Sequence, residues 1–145
     1  MQARIDMNKL DVRWLQRFDN FRRAFSLLRE VCERDLSTLT ALEREGSIQR
    51  FEFAFELAWK TLKDYLEANG VTLESNTPRQ VIKQAFAAQV LDEPQVWIDM
   101  MLHRNQLSHT YDFKVFEQAL EEIQNRYFPA FDKLHDFFLE QALAS

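Results

Sequence analysis

The stretch Arg104–Asp112 combines side chains that are suited to chemistry on phosphate groups. Arg104 is a permanent cation whose planar donors can grip a phosphate, and His109 exchanges a proton near neutral pH. Asn105 and Tyr111 add an amide and a phenol to the same short segment. A fixed cation beside a titrating base is the pairing needed to hold a phosphodiester and to move a proton when it is cleaved.

The spacing of these residues predicts which of them meet on a helix. Asn105 and His109 are four apart, so they should be neighbours on one face, where the amide could orient the imidazole. Arg104 and His109 are five apart, about 140° round a helix of about 3.6 residues per turn. They meet if the helix ends near Ser108 and His109 turns back, if Arg104 reaches round, or if they converge across a subunit interface.

The same segment has a purely structural interpretation. Trp97 and Met101, then Asn105 and Ser108, lie along one helical face, so the pattern turns from apolar to polar where a helix would end. Arg and His side chains near a helix C-terminus offset its dipole without any further role. On residue types alone, the functional and structural interpretations stand level.

Other conspicuous residues have simpler explanations. His103, His109 and His135 lack the Cys/His spacing of a zinc site, so we expect neither a metal nor a cofactor. Cys32 follows an apolar stripe and is interpreted as a small hydrophobic residue rather than a nucleophile. Four acidic residues are interpreted as a solvated helix face and helix ion pairs. They are Glu43, Glu45, Glu52 and Glu56.

Composition predicts one domain spanning residues 1–145, long enough to bury a substantial core without disulfides. Apolar residues make up 46% and charged residues 28%, a balance that excludes a disordered chain. Only two Gly and three Pro occur, which leaves room for a few long elements rather than many short ones.

Charge and apolar runs restrict where the chain works and what it binds. No run approaches the roughly 18 apolar residues of a membrane span. Met1–Leu15 has no signal-peptide core, and a single Cys32 suits a reducing compartment, so we expect a cytoplasmic protein with no membrane contact. The net charge of −5 does not attract nucleic acid, so an RNA or phosphate site needs a local basic patch, to which Arg79 and Lys83 could contribute.

Apolar residues recur at helical spacing nearly everywhere, and no run alternates as a strand would. Two stripes predict a first helix over roughly 8–34 and a broadly buried second helix over roughly 38–69. Gly70 after Asn69 ends the second helix, because Gly accepts the left-handed conformation. The first stripe is Leu10, Trp14, Phe18, Phe21, Phe25 and Leu28; the second is Ile48, Phe51, Phe55, Ala58, Leu62 and Leu66, widened by Phe53, Leu57, Trp59 and Tyr65.

Polar residues and prolines mark the later helix starts. Thr77 can cap a short helix that Pro78 begins, and Gln80 can complete a capping box. The segment Asp92-Glu93-Pro94 begins the helix that carries the phosphate-compatible residues.

Asp112 can cap a long last helix, which Pro129 is expected to kink because its ring clashes with the preceding turn. The predicted fold is therefore all-α, an antiparallel up-down bundle of four main helices and one short helix. Most of the Phe residues are predicted to form its core, and a minority could face a second subunit.

Two segments resemble a known family. Arg104-Asn105-x-x-x-His109-x-Tyr111 is similar to the Arg-x4-His-x-Tyr motif of HEPN-fold proteins, with the frequent Asn after Arg. The block Gln49–Lys63 resembles the second helix of one HEPN branch, the nucleotidyltransferase substrate-binding proteins. Arg13-Trp14-x-Gln16-Arg17-Phe18 also fits that branch, so the resemblance spans essentially the whole chain.

The resemblance implies a helical bundle that forms a homodimer, with the motifs of both chains lining a shared cleft. It implies a partner, a minimal nucleotidyltransferase encoded beside it. Many HEPN proteins are metal-independent ribonucleases that act as toxins, and in such pairs the nucleotidyltransferase is the antitoxin and can adenylylate the motif tyrosine, here Tyr111.

Three hypotheses remain open from the sequence. In the first, the chain is a ribonuclease toxin: His109 acts as general base or acid, Arg104 stabilises the phosphate charge, and Asn105 orients His109 or the phosphate. In the second, it is a non-catalytic nucleotide- or substrate-binding subunit, with Arg104 and His109 as phosphate ligands. In the third, it is an assembly module whose polar segment only ends a helix.

Overall fold

The computed structural model describes residues 2–144, with the side chains of residues 9–144. These residues form six α-helices and contain no strand. The helices are α1 (Gln2–Cys32), α2 (Ala41–Ala68), α3 (Pro78–Ala87), α4 (Pro94–Leu107), α5 (Phe113–Glu122) and α6 (Phe128–Ala144). A 3-10 turn (Leu36–Thr38) precedes α2, and a π-helix (Ile123–Tyr127) joins α5 to α6. The predicted all-α bundle is confirmed. Met1 and the side chains of residues 2–8, part of the segment searched for a signal peptide, lie outside the described residues.

The helices α1 and α2 make the most extensive helix pair of the bundle. The predicted stripes of both helices face each other and the C-terminal helix. The most buried polar contact between the two helices joins Arg17 to Asp64: Arg17 Nε donates to Asp64 Oδ2 at 3.0 Å, and the Asp64 side chain is only 2% exposed. A carboxylate buried this deeply needs such a partner, because an unpaired buried charge is strongly destabilising.

Helix α2 is shorter than its predicted range of 38–69, because local side chains set both of its ends. Thr40 and Glu43 form a reciprocal capping box, so α2 begins at Ala41, and the preceding residues form the 3-10 turn instead. At the other end, Gly70 takes a φ of 84°, the left-handed conformation predicted for it. The first helix also differs from its predicted range, since it runs from Gln2 to Cys32.

The later helices begin at the positions predicted from their polar residues and prolines. Pro78 opens α3, and Thr77 Oγ1 accepts from the backbone N–H of Gln80 at 3.3 Å. The return bond that would complete a capping box is absent among the described residues. Pro94 opens α4, and the Asp112 carboxylate caps α5 by accepting from Lys114 N at 2.9 Å.

The last helix is the clearest departure from the predicted single kinked helix. It divides into α5, the π-helix and α6, with Pro129 just inside α6. Proline lacks the N–H that would close the preceding turn on Asn125, and its ring crowds that carbonyl. The turn before it is widened instead: the Phe128 N–H bonds to the Ile123 carbonyl, five residues back.

The core is largely aromatic, as predicted, but not every Phe belongs to it. Phe53, assigned to the widened buried stripe of α2, points outward and is 64% exposed. Phe86 and Phe113 are exposed as well, at 49% and 47%. Among the described residues, no helix is both long enough and apolar enough to cross a membrane.

Candidate functional site

The phosphate-compatible residues lie at the end of α4 and in the loop that follows. Arg104 and Asn105 are in the last turn of the helix, which ends at Leu107. Ser108 N–H bonds back to the Arg104 carbonyl at 3.2 Å, and His109 N–H bonds to the Gln106 carbonyl at 3.1 Å, which tightens the final turn. The first of the three arrangements left open by the sequence requires the helix to end near Ser108, and it does end there.

Arg104 is held by a carboxylate from α2. Its Nη2 donates to Glu56 Oε2 at 2.6 Å, and both side chains are 29% exposed. Glu56 also accepts from the Trp59 indole N–H at 3.1 Å, and its other oxygen lies 3.1 Å from Lys60 Nζ. Two cations and an indole therefore share one carboxylate, which fixes the direction of the Arg104 guanidinium.

The electrostatics of Glu56 favour its charged form. Burial by itself raises the pKa of this carboxyl, but hydrogen bonds from Trp59 and Lys60 and the charges of Arg104 and Lys60 lower it below its ordinary value. Glu56 is therefore ionised at neutral pH. The predicted helix pair of Glu56 with Lys60 is present, but Glu56 also binds Arg104 of α4, which the sequence did not indicate. Exposed Glu45 fits the predicted solvated face.

Asn105 does not pair with His109 as the helical spacing predicted. Its Oδ1 instead lies 3.5 Å from Arg104 Nη1, and within residues 9–144 it makes no hydrogen bond to the imidazole. The reason is the end of α4: a spacing of four makes neighbours only on a continuing helix, and the tightened turn at Ser108 rotates His109 away.

His109 and Tyr111 are both open to solvent. The His109 side chain is exposed and forms no hydrogen bond or ion pair among the described residues. Tyr111 is 96% exposed in the loop between α4 and α5. A single chain thus offers an anchored cation and, beyond the helix end, an exposed imidazole and phenol, without a direct contact between Arg104 and His109.

The surroundings of Arg104 are electrically balanced rather than basic. Glu52, one turn before Glu56 on α2, comes within 3.4 Å of the Ser108 hydroxyl. Arg104 and Lys60 are thus matched by Glu52 and Glu56. Arg79 and Lys83, expected near this site, are exposed on α3 and make no hydrogen bond or ion pair with it in the described part of the chain.

Comparison with known proteins places the chain in a family. Residues 16–140 match the sequence model of a family described as nucleotidyltransferase substrate binding protein like. The chain belongs to this family. The resemblance inferred from the Arg104 and Gln49 segments is therefore confirmed. The chain is a HEPN-fold protein of the nucleotidyltransferase substrate-binding type.

Two relatives extend this assignment. The chain is 24% identical over 100 residues to a Haemophilus influenzae protein named probable ribonuclease HepT, covering 67% of this chain and 61% of that protein. The matched segment thus spans about three fifths of that relative. The chain is also similar to a crystal structure of a Thermus thermophilus protein, with 27% identity, a TM-score of 0.68 and coverage of 83% of this chain and 97% of the other.

Proposed function

We propose that this chain is the HEPN-type component of a two-gene module with a minimal nucleotidyltransferase, and that it is a metal-independent ribonuclease toxin. The observation that carries the proposal is the anchored Arg104 beside a loop with an exposed, unpaired His109. The name of the Haemophilus influenzae relative supports the same activity class.

Arg104 is the proposed phosphate-binding group. A guanidinium has five N–H donors, and the contacts to Glu56 and Asn105 use only part of them. The remaining donors can stabilise the charge that develops on the phosphate oxygens. Asn105 lies beside the guanidinium, so its proposed role is to orient the phosphate rather than His109.

His109 is the proposed proton-transfer group. As a base it takes the proton of a ribose 2′-hydroxyl, whose oxygen then attacks phosphorus. The bond to the 5′ oxygen breaks, a protonated imidazole supplies that oxygen with its proton, and a 2′,3′-cyclic phosphate is left. Because one chain does not bring His109 to Arg104, the proposed site is a cleft shared by two copies.

The outward face of α2 supports a homodimer next to this site. Leu42 and Phe53 are 78% and 64% exposed, and Phe53 lies one helical turn from Glu56 on the same face. Large apolar side chains exposed together suit burial against another chain. A second copy docked on this face would lie beside Arg104, and the proposed shared site requires its His109 loop to reach that cation.

Tyr111 is the proposed point of control. The partner nucleotidyltransferase would catalyse attack of the Tyr111 Oη on the α-phosphorus of ATP, releasing pyrophosphate and leaving an adenylyl group on the phenol. Its exposure makes the hydroxyl accessible to an enzyme. The added anion beside Arg104 and His109 would repel RNA.

The deciding experiment is RNA cleavage by the purified protein in the presence of a chelator. Wild type should cleave, and His109→Ala should be slower by about 10²–10⁴-fold, the usual contribution of a general acid or base. Arg23→Ala, an exposed arginine on α1, is the matched control and should cleave like wild type. If wild type is no faster than His109→Ala, the ribonuclease proposal fails.

A non-catalytic nucleotide- or substrate-binding subunit of the nucleotidyltransferase is the second candidate. It is favoured by the balanced charge around Arg104, which suits a small phosphate ligand better than a long RNA. Calorimetry with ATP, with and without the partner enzyme, tests it. Heat of binding that disappears in Arg104→Ala supports this role, and no binding in either condition excludes it.

A further inference from the structure

A different face of α4 from the one that contacts Glu56 makes a second set of polar contacts, with the π-helix. Asp99 and His103 lie four apart on this face and meet two consecutive π-helix residues. Arg126 Nη2 lies 2.9 Å from Asp99 Oδ2, and the Tyr127 hydroxyl makes a close hydrogen bond with His103 Nδ1. Nothing in the sequence indicates this pairing, because the two segments are distant along the chain.

The Tyr127 hydroxyl is buried and depends on His103. Tyr127 is 0% exposed, and His103 is the hydrogen-bond partner of its hydroxyl. Burial, with a contribution from the charge of Glu122, raises the pKa of Tyr127 to about 12, so the phenol stays protonated at neutral pH. A protonated phenol can donate to Nδ1 or accept from it, and the tautomer of His103 sets which of the two occurs.

The π-helix brings both residues to α4. Its widened turn presents buried Tyr127 and half-exposed Arg126 to successive turns of α4, beside a cleft of about 600 Å³. Single π-turns within α-helices occur frequently at functional sites. Arg126 also lies 2.9 Å from Glu122 Oε2, so Arg126, Asp99 and Glu122 are paired with one another, and these contacts connect the π-helix to α4.

His103 directly precedes Arg104, so α4 is fixed from two sides at its functional end. On one side Arg104 bonds to Glu56 of α2, and on the other His103 bonds to Tyr127. Buried apolar side chains, among them Trp97 and Met100, pack α4 into the core, and the two polar contacts then set the orientation of its last turn. A small rotation of that turn would move Arg104 and the His109 loop. Displacements of about 1 Å at a reacting group can lower a rate by about 10²-fold.

We propose that His103 and Tyr127 are positioning residues, which fix the rotation of α4 and thereby the placement of Arg104 and the His109 loop. The catalytic part of this inference rests on the proposed ribonuclease function. The structural part does not, so each can be tested separately.

Hydrogen exchange tests the structural part without any activity. In Tyr127→Phe the backbone amides of residues 104–109 should exchange about threefold to tenfold faster, as expected for the loss of one net hydrogen bond. Amides of α1 should be unchanged. Tyr65→Phe is the matched control, because Tyr65 is also buried but packs against Trp14 and Phe138, away from α4. Equal exchange at residues 104–109 in wild type and Tyr127→Phe overturns the proposal.

Kinetics and rescue test the catalytic part. Tyr127→Phe should lower kcat for RNA cleavage about tenfold per folded molecule and change KM less than kcat, since the loss is mainly in the alignment of Arg104 and His109 on the reacting phosphate. His103→Leu should behave alike, whereas His103→Asn keeps a polar side chain that can pair with the Tyr127 hydroxyl in either direction and should retain most of kcat. A loss that disappears after correction for the folded fraction contradicts positioning. If wild type does not cleave RNA, the proposed function fails, and the exchange result still decides the structural part.

Discussion

His103 and His109 lie close together in the sequence but have opposite environments. His103 is half-buried and bonded to Tyr127, whereas the His109 side chain is exposed and has no hydrogen-bond partner within residues 9–144. The difference arises where α4 ends, because His103 lies on the packed helix and His109 lies just beyond it. Their surroundings, not their residue type, thus distinguish the two: His103 makes a structural contact, and His109 is available for chemistry.

The same contrast separates the two sides of α4. Toward α2, Arg104 shares Glu56 with Lys60 and Trp59 but keeps unused donors near solvent. Toward the π-helix, the Tyr127 hydroxyl has its partner and is closed off from water. The α2 side thus holds Arg104 in place and leaves it accessible, whereas the π-helix side holds α4 itself.

The largest effect on stability is expected from removing the carboxylate that serves both Arg104 and Trp59. Glu56→Ala leaves the guanidinium and the indole without their acceptor, and it should lower the free energy of unfolding by about 2 kcal/mol. Urea denaturation measures the change. Glu45→Ala, on the exposed part of α2, should stay within about 0.5 kcal/mol of wild type. Equal behaviour of the two variants would mean that the Glu56 contacts do not hold α4 to α2.

A matched pair of histidine substitutions sharpens the contrast further. His103→Leu leaves the buried Tyr127 hydroxyl unpaired, and it should cost about 1–2 kcal/mol of unfolding free energy. His109→Leu removes no contact and should change it by less than about 0.5 kcal/mol. Thermal and urea unfolding of both proteins provide the comparison, and a larger loss in His109→Leu would reverse the assignment of the two environments.

The sequence predicted the helices well because their signals are local. Apolar spacing, the Asp112 cap and the prolines at helix starts depend on a few neighbouring residues, and the structure has them as predicted. The π-helix was not predictable. Pro129 indicates that the helix is distorted, but it does not indicate whether the distortion is a kink or a widened turn.

The candidate site was predictable in its residues but not in their geometry. The Arg104–Tyr111 segment was identified from residue types, yet its pairing with Glu56 depends on how α4 packs on α2, which spacing within one helix cannot reveal. The expected Asn105–His109 neighbourhood failed because the end of α4 could be placed only within a few residues. One feature of the sequence could have indicated a paired Glu56: Lys60 lies four residues later on the same helical face.

Acid should weaken the α2 side of α4. The folded-state pKa of Glu56 is lowered below its ordinary value of 4.5, so its contribution to stability is present above that pH and is lost as the pH falls through the folded pKa. Wild type should therefore lose unfolding free energy more steeply than Glu56→Gln below pH 4.5, until the two curves converge. The loss should be smaller than that caused by Glu56→Ala. Parallel curves from neutral to acid pH would show that Glu56 is not the titrating group.

The smallest effect is expected at the rim of the π-helix. Arg126 is 41% exposed and pairs with Asp99 and Glu122, which are 28% and 39% exposed. Ion pairs this accessible contribute about 0–1 kcal/mol and weaken in salt, so Arg126→Ala should cost less than His103→Leu, and the difference from wild type should shrink in about 1 M NaCl. The hydrogen bond of Tyr127 is buried and should not respond to salt. If Arg126→Ala instead costs more than His103→Leu, the ion pair rather than the buried hydrogen bond holds the π-helix to α4.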